Sequence, residues 1–141
     1  KAEAVMAKRY FADSYHFIAL LSVWDGAHEM AVELSHELAG EIVTTDAVLL
    51  ELADGFSAPG LREGAATYIR DLWRSPQAQV VPVDRPLLER ALALYAARAD
   101  KDWSLTDCAS FVVMQDEGIV EALTGDSHFE QAGFRILYPR V

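Results

Sequence analysis

The chain has 141 residues, 52% hydrophobic and 24% charged, with 12 Lys/Arg against 22 Asp/Glu for a formal charge of −10. That length suits a single domain across residues 1–141 with a core that needs no staples, and the composition excludes a disordered, collagenous or repeat protein. The longest strongly apolar stretch, Phe17 to Trp24, falls well short of the roughly 20 residues of a membrane span, and Lys1–Arg9 lacks the apolar region of a signal peptide.

Residues 1–8 read as a polar leader outside the core. Tyr10-Phe11-Ala12 is a short buried strand that ends at Asp13. Apolar spacing through Phe17, Leu20, Leu21 and Trp24, and again from Met30 to Leu38, predicts helix, with Gly40 as the stop. Glu41–Thr44 is β-prone, and Thr45 is a good cap for a helix over Asp46–Ala53. Gly55, Pro59 and Gly60 mark a loop. Leu61–Trp73 follows as a helix with Ala65, Ala66, Ile69, Leu72 and Trp73 on its apolar side. Val80–Val83 is a strand whose Pro82 favours an edge or a strand end. Asp84 caps a helix to about Ala99, and Ser104–Asp107 opens another that ends near Gly118. Ile119–Leu123 is a strand, Thr124-Gly125-Asp126 a turn, Ser127–Ala132 a short helix and Arg135–Tyr138 a last strand. Short apolar strands separated by helical spans predict a parallel α/β sheet covered on both faces. Ligands of such sheets sit at the carboxyl ends of the strands.

Polar residues at those ends are acidic. No Lys or Arg lies between Arg9 and Arg62, a span that holds nine acids. A chain so charged does not attract nucleic acid in bulk, since phosphate binding is driven by Lys and Arg. Handling a polyanion requires a local change of sign, and a divalent metal supplies one. Asp13 follows the first strand and Asp126 the fourth. Asp107 lies in the first turn of a helix. Glu51 is the only charge in the run Ala47–Ala53, and a carboxylate there is costly to desolvate unless paired or bound to metal. Taken singly, each acid has an ordinary explanation. Asp107 completes a capping box with Ser104, Asp126 closes a turn, Asp13 caps a helix and Glu51 reaches water. Brought together without cations, they require protons or a hard cation with oxygen ligands, Mg²⁺ or Mn²⁺.

Four fragments carry a resemblance: Tyr10-Phe11-Ala12-Asp13-Ser14; Thr44-Thr45-Asp46-Ala47-Val48-Leu49-Leu50-Glu51-Leu52; Trp103 to Phe111; and Leu123-Thr124-Gly125-Asp126-Ser127-His128-Phe129 followed by Gly133-Phe134. In this order and spacing the sequence resembles the PIN-domain ribonucleases, especially VapC-type toxins of toxin–antitoxin pairs, over about Lys8 to Tyr138. The resemblance implies a three-layer α/β/α sandwich with a mostly parallel sheet of about five short strands. It implies Asp13, Glu51, Asp107 and Asp126 as catalytic acids, with Asp13, Asp107 and Asp126 holding Mg²⁺ or Mn²⁺ and Glu51 ligating or orienting the water. Ser14 falls where the family has a hydroxyl near the metal, and Asp102 belongs at the rim. The implied reaction is endonucleolytic cleavage of RNA to a 5′-phosphate and a 3′-hydroxyl. The implied partners are the RNA substrate, a second copy of the chain and a basic-tailed antitoxin.

Arg62, Arg70 and Arg74 share one predicted helix, either guiding RNA or simply facing solvent. Phe17–Trp24 is either core or a partner surface. His128 either touches substrate or is a structural surface histidine, the more ordinary case, and Cys108 is read as a small core residue. A single cysteine fits a reducing cytoplasm. No nucleotide-binding glycine loop, CxxC or His-rich zinc pattern is visible. Two other readings compete. A Mg-dependent phosphotransfer domain with an acidic pocket calls for a nucleophilic Asp-x-Asp or a late lysine, which the sequence lacks. A non-catalytic PIN-like module calls for missing acids, and all are present. A solitary housekeeping nuclease differs from a toxin only in having no antitoxin.

Overall fold

Tyr10, Phe11 and Ala12 are all buried although successive side chains of a strand point to opposite faces, so their sheet must be covered on both sides. The computed structural model describes residues 8–139; the expected leader lies outside these residues apart from Lys8. The elements are β1 (Arg9–Ala12), α1 (Ser14–Leu21), α2 (His28–Glu37), β2 (Glu41–Thr45), α3 (Asp46–Gly55), α4 (Arg62–Arg74), β3 (Ala78–Val81), α5 (Arg85–Ala97), α6 (Leu105–Glu117), β4 (Glu121–Leu123), α7 (Ser127–Gln131) and β5 (Arg135–Ile136). Five strands form one sheet in the order β3-β2-β1-β4-β5, and every pairing is parallel. Proline-terminated β3 is an edge strand, as Pro82 predicts.

The layers follow from where β1 points. Phe11 meets Phe129 of α7, and Phe111 of α6 packs edge-on against the same Phe129. Tyr10 faces the other way, beside Leu20 of α1 and Leu34 of α2. Helices α1 to α4 pack against one another on that side, and α5 packs on α6 on the opposite side. The result is a three-layer α/β/α sandwich. The chain leaves β1 for β2 and β3, then crosses to β4 and β5. The switch point therefore lies between β1 and β4. No helix among the described residues is long and apolar enough to cross a membrane.

Polar contacts tie Lys8 and Tyr138 to this frame. His16 and Tyr138 share a hydrogen bond of 2.6 Å, joining the segment after β5 to α1. Burial lowers the His16 pKa to about 4, so the imidazole is neutral at physiological pH. Glu121, buried at the start of β4, meets Lys8 at 2.8 Å and Arg135 at 2.9 Å.

Some details differ from the sequence-based expectations. Helix α1 ends at Leu21, and Trp24 stands 93% exposed in the following turn, so it is not core. Trp73 is likewise exposed on α4, whose buried residues are Ala65 and Leu72. The last strand stops at Ile136 rather than Tyr138. Gly40 does not stop α2, which ends at Glu37, and it has no positive φ. Its role is close approach. A Cβ at Gly40 would lie 2.2 Å from the Lys8 carbonyl oxygen, which accepts a hydrogen bond from Glu41 N.

Gly40→Ala is expected to destabilise the protein by about 1–3 kcal/mol, the usual scale for forcing atoms into packed space. Gly64→Ala, within α4 and with nothing within 4 Å of the added Cβ, is expected to be neutral or stabilising by about 0.5 kcal/mol. Urea unfolding of both variants checks this pair. Equal effects would exclude the backbone clash as the role of Gly40.

Candidate metal centre

The sheet delivers its first acid where β1 ends. Asp13 occupies the N-cap position of α1 but makes no side-chain cap. Its carboxylate instead accepts a 2.9 Å hydrogen bond from the Thr124 hydroxyl, just beyond β4. The same hydroxyl accepts from Asp126 N at 3.0 Å. Thr124 thus fixes Asp13 and the Asp126 backbone together across the switch point. Gly125 is needed between them: a Cβ there would lie 2.7 Å from the Tyr15 hydroxyl and 3.1 Å from the Pro139 carbonyl oxygen.

Helix starts position Asp107 and Asp126. Asp107 and Ser104 form a reciprocal capping box at the start of α6. Asp126 caps α7 by accepting from His128 N at 2.9 Å. The ordinary readings of these two acids therefore hold alongside membership of the cluster. Glu51 projects from the middle of α3 and accepts from Ser14 Oγ at 3.0 Å.

Electrostatics link all four acids. Asp13 is raised from the usual carboxylate range to about 7, first by desolvation and then by the charges of Asp107 and Glu51, against the stabilising hydrogen bond from Thr124. Glu51 is also raised, first by burial and further by Asp107, Asp126 and Asp54, against the Ser14 hydrogen bond. No Lys or Arg enters either set of causes.

His128 closes the arrangement. Its Nδ1 lies 3.0 Å from Asp107 Oδ2 and 3.5 Å from Asp126 Oδ1. Asp107, Asp126 and His128 each offer a donor atom, and these atoms all lie within 4.8 Å of one another. Sequence reasoning left His128 at the surface and treated Thr124 only as a turn residue. The signal for both is the alternation Thr124-x-Asp126-x-His128 immediately after a buried strand. Asp102 stands exposed before α6, and its carboxylate makes none of the described contacts with the four acids. Arg62, Arg70 and Arg74 are exposed on α4. Arg62 and Arg70 line a groove of about 430 Å³ with Asp54, Phe56, Ile69 and Trp73. Because Asp54 is one turn beyond Glu51 on α3, this groove adjoins the acids without containing them.

The donor set fits a divalent cation. It comprises the carboxylates of Asp107 and Asp126 and the imidazole of His128; Asp13 and Glu51 stand outside this set and reach it through their charges. Such oxygen-rich anionic sites suit hard or borderline divalent ions.

Comparison with known proteins agrees with this architecture. A family model of the PIN domain matches residues 10–135. The fold matches a crystal structure of VapC20 from Mycobacterium tuberculosis, described as a sarcin-ricin loop cleaving toxin, with a TM-score of 0.81 and 27% identity over 89% of this chain and 95% of that one. It also matches FitAcB from Neisseria gonorrhoeae, with a TM-score of 0.66 over 92% of this chain and 97% of that one; at 17% identity this likeness concerns the fold alone. No curated protein sequence matches the chain.

The raised Asp13 pKa has a consequence for stability. Between pH 4 and pH 7 the folded carboxyl keeps a proton that the unfolded chain has lost. Stability of the metal-free protein should therefore fall as pH rises through that window. Asp13→Asn removes the penalty. In chelator, the variant is expected to exceed the parent by about 1–3 kcal/mol at pH 8 and to converge with it near pH 4. Urea titrations at the two pH values check this, and a gap independent of pH would contradict it.

Proposed function

Because the chain belongs to the PIN-domain family, we propose that it is a metal-dependent endoribonuclease of the VapC toxin type, its single domain spanning the chain. The observation that supports the reading best is the convergence of Asp107, Asp126 and His128 donor atoms within 4.8 Å of one another, beside a buried Asp13 that feels the charges of Asp107 and Glu51 and of no Lys or Arg.

In this proposal Asp13, Asp107 and Asp126 hold Mg²⁺ or Mn²⁺. Bound there, such an ion lowers the pKa of a water and neutralises charge developing on the phosphate. Glu51, steadied by Ser14, orients the attacking water. Thr124 holds the Asp13 carboxylate at the end of β1. The arginines of α4 guide the RNA backbone toward the acids. Arg62 bonds the Ser57 carbonyl, and neither Arg70 nor Arg74 is ion-paired among the described residues. Asp102 serves at the rim of the substrate path.

The same reading includes a homodimer in the cytoplasm and a cognate antitoxin with a basic tail. An arginine entering the acidic cluster would be favoured electrostatically. Buried, unpaired Cys108 accords with a reducing compartment.

Labelled single-stranded RNA incubated with Mg²⁺ or Mn²⁺ should be cut internally. Asp13→Asn and Asp107→Asn should each lower the rate by about a hundredfold or more, and chelation should abolish it. Cleavage that survives both substitutions would overturn the reading. Arg70→Ala should weaken RNA binding and flatten its dependence on salt by about 0.7 in the log–log slope, the contribution of one phosphate contact to a single strand. An unchanged slope would remove Arg70 from the RNA path.

A further inference from the structure

We propose that His128 Nδ1 is itself a donor to the metal held by Asp107 and Asp126, and that this nitrogen makes the centre prefer Mn²⁺ to Mg²⁺. The inference rests on the metal-dependent reading above and specifies the ion it uses.

Donor geometry carries the argument. Asp107 Oδ2, Asp126 Oδ1 and His128 Nδ1 converge, with separations of 3.0 and 3.5 Å from the nitrogen to the two oxygens. Adjacent ligands on an octahedral ion with bonds of about 2.1 Å stand about 3 Å apart; the 3.0 Å pair, which is hydrogen-bonded here, already has that spacing, and all three donor atoms lie within 4.8 Å of one another. Two carboxylate oxygens and an imidazole nitrogen are electron-pair donors, and only a proton or a cation can lie among them. The ring is also held in place. His128 N is fixed on Asp126 Oδ1, and Phe129, the next residue, is fully buried against Phe11 and Phe111. That anchoring leaves His128 facing the acids from the first turn of α7. Magnesium prefers oxygen ligands and retained water, whereas imidazole belongs with the transition metals. One nitrogen among carboxylates tilts the choice toward Mn²⁺.

Manganese provides its own readout. Pulsed EPR of the Mn²⁺-loaded protein should show ¹⁴N modulation from a directly bound imidazole. His128→Gln should lose that modulation and lower the ratio of Mn²⁺ to Mg²⁺ affinity about tenfold, the lower end of the effects seen when groups that hold or orient metal ligands are removed. Circular dichroism and the melting temperature of His128→Gln confirm that it folds. The measurement on the parent protein needs no variant, so a poorly folded mutant does not decide the matter. Bound Mn²⁺ without ¹⁴N coupling would overturn the inference and leave the metal centre standing, with His128 only steadying Asp107. Modulation that persists in His128→Gln would overturn it in favour of another histidine. Failure of the parent to bind Mn²⁺ at all would overturn both this inference and the metal-dependent reading.

Discussion

Concentrating negative charge at the junction of β1 and β4 is the constraint on which the surrounding structure depends. A buried carboxylate loses its hydration, and each further carboxylate nearby adds repulsion. Asp13 meets both costs, and proteins usually answer them with an arginine or lysine. Here the compensation comes from neutral donors. Thr124 supplies a hydroxyl to Asp13, Ser14 supplies one to Glu51, and the backbone at Ser104 and His128 supplies N–H groups to Asp107 and Asp126. Neutral donors hold the acids in place without cancelling their charge. The site therefore keeps a negative field that suits a mobile cation and that a resident arginine would cancel.

Holding repelling groups together demands a stiff frame, and the frame is aromatic. Trp103, Phe111, Phe129 and Phe11 form a chain of ring contacts with centroid separations of 5.0, 5.0 and 6.2 Å. This chain runs from the loop before α6, through α6 and α7, to β1. It therefore ties together the elements that carry Asp107, Asp126 and Asp13. Trp103 Nε1 also donates to Gln131 at the end of α7. A helix as short as α7 has little stability of its own. Phe129 in the core and the Asp126 cap are what keep it folded, and through it His128 stays over the acids.

Much of this arrangement could be read from residue order alone. Strand ends at Asp13 and Asp126, the cap at Thr45 and the Ser104–Asp107 box are local signals, and local signals survive the absence of a structure. Apolar periodicity was a poorer guide for Trp24 and Trp73. It records which residues are capable of burial, whereas exposure depends on whether another layer arrives to cover them. Gly40 illustrates the same limit. Its spacing suited a helix stop, but the deciding contact is with Lys8, far away in sequence and adjacent only after β1 and β2 pair. Thr124 and His128 were obscured because turn and surface roles explained them adequately until β1 and β4 were side by side.

In the proposed reading, a protein as acidic as this one must keep two electrostatic tasks apart, and the distribution of its cations suits that. Lys8, Arg9, Arg90, Arg98 and Arg135 are paired with the chain's own acids. Such pairs contribute little attraction for a distant phosphate, since their fields largely cancel beyond a Debye length. The arginines of α4 have no such partners among the described residues, and two of them, Arg62 and Arg70, line a groove that begins about one helical turn from Glu51. Long-range attraction would then come from α4, while short-range neutralisation falls to the metal. A design of this kind tolerates a large net negative charge, because the polyanion never has to approach the acids without a cation between them.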